Sequence, residues 1–133
     1  MRYLLDTDIC IFLLRGNREI ADRMDSAGFA NCSISEITKA ELLTGMHYSN
    51  MKGRKSNERG LLDFLDSITV IPVSRALDRF AKEKARLICE GMSVEDFDLL
   101  IGCSAVVCGC VMVTHNVSHF ERIDSIVIED WKD

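Results

Sequence analysis

Short apolar runs, each too brief for a helix and most followed by a stretch of helical periodicity, recur along the whole chain and restrict the folds open to it. Residues 2–5, 29–34, 69–73, 111–114 and 126–129 read as strands. Between them, residues 9–14 read as a helix stopped at Gly16. Asn17 caps a second helix over 18–24, ended by Gly28, and Ser35 caps a third that runs to about Met46. Residues 49–60 read as a polar connection, after which Leu61, Leu62, Phe64 and Leu65 resume helical spacing. Ser74 opens a long amphipathic helix closed by Gly91, residues 94–109 form a helix apolar nearly all round, and 118–123 a short turn or helix. Strands alternating with helices predict an α/β fold with three layers, α/β/α, around a central parallel sheet. A length of 133 residues, with 47% apolar and 28% charged, suits one globular domain over 1–133.

Charge and cysteine usage narrow the function. Lys plus Arg number 16 against 21 Asp plus Glu, a net charge of −5. That balance argues against a simple electrostatic nucleic-acid binder and suits an acidic site that holds cations. Asp6 arrives before any apolar leader segment could form, and the apolar run 99–113, broken by Ser104, is shorter than the ~20 residues that span a bilayer. A soluble cytoplasmic protein without membrane contact is therefore expected. Cysteines 10, 32, 89, 103, 108 and 110 form no Cys-x-x-Cys and mostly sit in apolar stretches, as buried reduced thiols do. Cys108-Gly109-Cys110 with His115 lacks a fourth ligand and zinc spacing.

In an open parallel sheet, ligands bind beyond the carboxyl ends of the strands. Asp6 directly follows one predicted strand, and Thr114 and Asn116 directly follow another. Glu41, among Ala40, Leu42 and Leu43, and Asp98, between Phe97 and Leu99-Leu100-Ile101, interrupt apolar helices with no Lys or Arg in the same stretch. A buried lone carboxylate is costly. Two carboxylates ~4 Å apart repel by ~1 kcal/mol in water and ~4 kcal/mol near a protein surface, and a divalent cation removes that cost. Hard oxygen donors without thiolate suit Mg²⁺ or Mn²⁺, and such a site suits phosphodiester hydrolysis. Each residue alone has a plainer reading. Asp6 or Asp8 could cap the helix from Ile9, Glu41 could face solvent, Asp98 could join Glu95 and Asp96 in an acidic first turn, and Asn116 could be a turn residue. Their shared edge of the sheet favours a site. Lys52, Arg54, Lys55 and Arg59 form a basic segment that either contacts phosphates or lies in a solvated loop. His115 and His119 would ligate together only on a helix, and Asn116-Val117-Ser118 between them reads as a turn. No Gly-x-Ser-x-Gly and no P-loop is present.

Tyr3-Leu4-Leu5-Asp6-Thr7-Asp8-Ile9-Cys10-Ile11, Ile34-Ser35-Glu36-Ile37-Thr38-Lys39-Ala40-Glu41-Leu42, Asp96-Phe97-Asp98-Leu99-Leu100-Ile101, Val113-Thr114-His115-Asn116, His119-Phe120-Glu121-Arg122-Ile123 and Ile128-Glu129-Asp130-Trp131 together carry a resemblance. In order and spacing they resemble the PIN-domain ribonucleases, specifically the VapC-type toxins of bacterial type II toxin–antitoxin pairs, over almost the whole chain. The resemblance implies a PIN-like α/β/α fold and a divalent-metal-dependent endoribonuclease that attacks RNA with metal-activated water. It implies Asp6 and Asp98 as the main ligands of Mg²⁺ or Mn²⁺, and Glu41 as an aid to metal binding or water positioning. The family's fourth position is often Asp, and Asn116 stands there without charge, which bears on a second metal. Asp96, roughly 200° around the helix from Asp98, is at best an outer neighbour. The resemblance also implies an RNA substrate, with transfer RNA a common target, a cognate VapB-type antitoxin and a homodimer. Two rivals stand beside it. A non-catalytic PIN-like binding module is motivated by Asn116. A haloacid-dehalogenase-like phosphatase is suggested by Asp6-Thr7-Asp8, although Cys10 and Thr114-His115-Asn116 depart from that pattern.

Overall fold

Residues 1–55 and 57–133 are described in a computed structural model of the chain. Five strands, β1 (Tyr3–Leu5), β2 (Cys32–Ser35), β3 (Thr69–Ile71), β4 (Val111–Val113) and β5 (Ile128–Glu129), form one sheet of order β3-β2-β1-β4-β5. Every pairing is parallel, and the central register sets Leu4 beside Met112 and Leu5 beside Val113. The pleat sends neighbouring side chains to opposite faces. Leu5, Ile34 and Val113 pack with α1 (Thr7–Leu14), α2 (Arg18–Ala27), α3 (Glu36–Met51) and α4 (Glu58–Ser67). Leu4, Ile71 and Met112 pack with α5 (Leu77–Cys89) and α6 (Asp96–Val107). Burial on both faces explains why the strands read as unbroken apolar runs. Among the described residues, no helix is long and apolar enough to cross a membrane.

Several boundaries differ from the sequence expectation. Residues 29–34 do not form one strand: Phe29–Asn31 is a 3-10 turn entered from Gly28 at φ +89°, and β2 begins at Cys32. Asn31 turns its amide back onto the Ala27 carbonyl, which favours that turn over extension. The third helix continues past Met46 to Met51. It buries only Thr38, Leu42 and Met46, so its last turns carry polar residues and look like a loop in the sequence. The connection expected over 49–60 is therefore divided between the end of α3 and the start of α4, which Asn57 caps by accepting from Gly60 N; Ser56 lies outside the described residues. A 3-10 turn, Val73–Ala76, precedes the long amphipathic helix, which starts at Leu77.

Two contacts fasten the segment after β4 to the second layer. Gly102 of α6 lies under Phe120 and Ile123, and a Cβ there would collide with Ile123 Cδ1. Glu83 of α5, only 5% exposed, accepts from Arg86 Nε (3.1 Å), Arg86 Nη2 (2.8 Å) and Asp124 N (3.0 Å). Arg86 Nη2 also donates to the Arg122 carbonyl (2.8 Å). The Arg86 hydrogen bonds hold the Glu83 carboxyl below its ordinary value of 4.5. A depressed carboxylate stabilises the fold above the ordinary carboxylate range and loses that contribution as pH falls through it. Glu83→Gln is expected to cost about 1–2 kcal/mol at pH 7, a drop of several degrees in Tm. In thermal melts the gap to the wild type should close as pH falls below 4.5; an equal gap at pH 7 and pH 3.5 would refute the ionic origin.

Candidate active site

β1 and β4 are neighbours, yet the strands that follow each lie on opposite sides of the pair, so a crevice opens beyond their carboxyl ends. Asp6 is the first residue after β1 and the N-cap of α1. Its backbone N–H donates to Val113 O across the seam (2.9 Å). Oδ1 accepts from Thr7 N (2.8 Å), and Oδ2 accepts from Thr114 Oγ1 just beyond β4 (2.8 Å). Thr114 Oγ1 in turn accepts from Asn116 N (3.0 Å), which commits the hydroxyl proton to Asp6. Capping and membership of the site thus fall on the same carboxylate. Burial first, then the charge of Asp8, pushes the Asp6 carboxyl up from 3.8 to about 7.

The other predicted acids come from different layers. Glu41, half-buried on α3, accepts from Thr7 Oγ1 (2.6 Å), which also lies 3.1 Å from Thr38 Oγ1. Asp98 is in the first turn of α6, its N–H donating to the N-cap Glu95 (3.2 Å) and its Oδ2 lying 3.3 Å from His119 Nδ1. Burial, followed by the charges of Glu95 and Glu41, raises the Asp98 carboxyl, and the charge of Asp98 contributes to the rise at Asp6. Asp6, Glu41 and Asp98 therefore share one electrostatic neighbourhood. Asn116 joins it through Asp8, to whose Oδ2 its amide donates (3.1 Å).

Asp8, which the sequence reading left as a cap, also lines this crevice. Its Oδ1 accepts from Ile9 N (2.7 Å), and its Oδ2 also accepts from His115 N (3.1 Å), so it ties α1 to the turn after β4. Burial raises its carboxyl as well. The available signal was a second acid two residues after Asp6, at the start of a helix behind a strand.

Other candidates fall elsewhere. Asp96 points away and pairs with Lys84. His115 pairs with Asp130 (3.0 Å) and His119 with Asp98, so the two histidines do not share a ligand site. Cys108 and Cys110 precede β4 while His115 follows it. Of the basic segment, Lys52 lies over the Tyr48 ring (5.7 Å), Arg59 is 3.7 Å from Asp63 in full solvent, and Arg54 is exposed. Lys55 is the member that shares a cleft with Glu41. With Arg15 it lines a cleft of about 430 Å³ whose walls include Ile11, Leu42 and Met46 and which Glu41 also lines. Among the described residues, no Lys or Arg forms an ion pair with Asp6, Asp8, Glu41 or Asp98, and no three His, Cys, Asp or Glu side chains form a ready-made metal cage.

The chain is similar to known proteins along nearly its whole length. The PIN domain profile matches residues 3–126, and the chain belongs to the PIN-domain family. Within that family it belongs with the VapC ribonucleases. It is 30% identical over 132 residues to the tRNA(fMet)-specific endonuclease VapC of Shigella flexneri, and 31% identical over 133 residues to the ribonuclease VapC2 of Haemophilus influenzae, with 98% of each chain covered in both cases. The DNA-bound VapBC of Salmonella typhimurium superposes with a TM-score of 0.83 at 32% identity, covering 99% of each chain. That membership removes the phosphatase reading. Its physical counterpart is the absence of any acid directly after β4, where Thr114, His115 and Asn116 stand.

A carboxyl raised from 3.8 to about 7 keeps its proton in the folded state while the unfolded chain has lost it, so stability falls as pH rises across that window. Asp6→Asn removes this penalty at the expense of one hydrogen bond. Without divalent ions, it is expected to leave Tm nearly unchanged at pH 5 and to raise it by several degrees at pH 8, about 1–2 kcal/mol. A uniform loss at both pH values would contradict the buried-charge assignment.

Proposed function

We propose that residues 1–133 form a single PIN domain acting as the toxin of a type II toxin–antitoxin pair, a divalent-metal-dependent endoribonuclease that hydrolyses RNA phosphodiester bonds with activated water. The observation that carries this reading is the burial of Asp6, 5% exposed, within reach of the charges of Asp8 and Asp98 and without a basic partner among the described residues. The donor set fits Mg²⁺ or Mn²⁺: hard oxygens, no thiolate, and few carboxylates, as expected for an ion that keeps several waters and completes its shell on phosphate oxygens. Asp6 and Asp98 would hold the ion. A bound divalent cation supplies the positive charge that offsets these carboxylates and brings a water into its nucleophilic range.

The protein's own groups have separable tasks. Thr7 N and Thr114 Oγ1 fix both Asp6 oxygens by one hydrogen bond each, which leaves a lone pair on each. Thr7 Oγ1 holds Glu41 at the crevice, where a carboxylate can orient an attacking water. Asn116 replaces an acid with an amide and holds Asp8. Lys55 and Arg15 stand where an RNA strand entering the cleft would bring phosphates, with Lys52, Arg54 and Arg59 on the adjoining surface. A homodimer would bring a second copy of these cations beside the same groove, a local basic surface on a chain whose net charge is −5.

The name of the Shigella flexneri relative supports transfer RNA as the substrate class, and the VapBC complexes support a VapB-type antitoxin as the partner. Six unpaired cysteines support the cytoplasm. Purified protein is expected to cut RNA with Mn²⁺ and to stop when the ion is chelated. Asp6→Asn and Asp98→Asn should each lower cleavage by roughly 10²-fold or more with the fold intact by circular dichroism. Full cleavage by Asp98→Asn would sink the assignment. Intact RNA together with a silent Mn²⁺ titration of the wild type would instead favour the binding module.

A further inference from the structure

Asp98 and Gly102 stand four residues apart on α6 and share one face of that helix. The chain after β4 crosses this face. Phe120, fully buried, packs on Gly102, where a Cβ would come within 3.3 Å of its ring. A 3-10 turn, Val117–His119, precedes it, closed by His119 N donating to Asn116 O (3.0 Å) and Phe120 N to Val117 O (3.0 Å). Arg122 Nη1 fastens the same segment to the Ser93 carbonyl before α6 (3.3 Å). With Phe120 seated over Gly102, the preceding residue lies over Asp98, one helical turn away. There His119 Nδ1 stands 3.3 Å from Asp98 Oδ2, and among the described residues no other side chain pairs with that carboxylate.

We infer that His119 is a positioning residue for Asp98: its imidazole N–H fixes one carboxylate oxygen so that the other is presented to the crevice. This rests on the reading of Asp98 as a cation ligand. A free carboxylate in a first helical turn samples several orientations, and an outer partner that selects one of them strengthens metal binding. His119 is held for this by Phe120 and Gly102, not by any contact with His115.

The test is calorimetric titration of Mn²⁺ into the full chain without RNA, for the wild type, Asp98→Asn, His119→Ala, His119→Asn and His119→Gln, with the apo Tm of each. Asparagine sets its amide nitrogen where Nδ1 stands, whereas glutamine sets it nearer the place of Nε2. Alanine and glutamine are expected to weaken Mn²⁺ binding roughly tenfold or more, and asparagine to retain it within about threefold, at similar apo Tm. Wild-type affinity in His119→Ala and His119→Gln, with binding lost in Asp98→Asn, would overturn the role of His119 alone. Equal weakening in His119→Asn would also overturn it, since the hydrogen bond would then not be what matters. Undiminished binding in Asp98→Asn, or none in the wild type, would overturn the cation site and the inference with it. Should His119→Ala not fold, the asparagine and glutamine variants decide.

Discussion

A buried carboxylate sets the terms for this molecule. Asp6 sits at the seam between the two central strands, where water is excluded and where its own backbone N–H completes the link to β4. Neither oxygen can be left without a donor at that depth. Thr7 supplies one from the helix that Asp6 itself begins, and Thr114 supplies the other from the end of the neighbouring strand. The order of the strands makes this possible: because β1 and β4 are adjacent while the chain departs from them to opposite sides, the residues that follow each strand face one another. The acid is thus a structural hinge-pin of the sheet edge and the centre of its electrostatic field.

Much of the candidate site was legible because its members stand at positions with strong local meaning. Asp6 and Asn116 directly follow unbroken apolar strands, and Glu41 and Asp98 interrupt apolar helical stretches, so each conflicts with its surroundings unless a site exists. Asp8 escaped notice because an acid at a helix start has an adequate local explanation, and only the fold reveals that its second oxygen reaches the turn after β4. The two histidines part as the turn expected over Asn116-Val117-Ser118 implies: a 3-10 turn sends one to Asp130 and the other to Asp98, and nothing local marked His119 as a neighbour of Asp98. Boundaries failed where local polarity and tertiary burial disagree. The end of α3 is a helix whose polar face looks like a loop, and Phe29 is an apolar residue with 43% exposure that looks like strand.

Stability and site geometry share contacts. The segment from Val117 to Asp124 is pinned by Phe120 and Ile123 over Gly102 and by the buried Glu83, and the same segment delivers His119 to Asp98. On the other side of the sheet, Thr7 joins the first turn of α1 to Glu41 through one hydroxyl, so the acid of α3 and the acid before α1 are spaced by a single side chain.

The amide of Asn116 has a consequence for the protein at rest. Where a further carboxylate would face Asp8 with like charge, an N–H donor faces it instead and adds a second hydrogen bond to the oxygen that His115 N also bonds. The crevice therefore carries less like-charge repulsion than a four-acid version of the same pocket would. Closing this edge of the sheet thus asks for one counter-charge fewer than a crevice lined by four acids would.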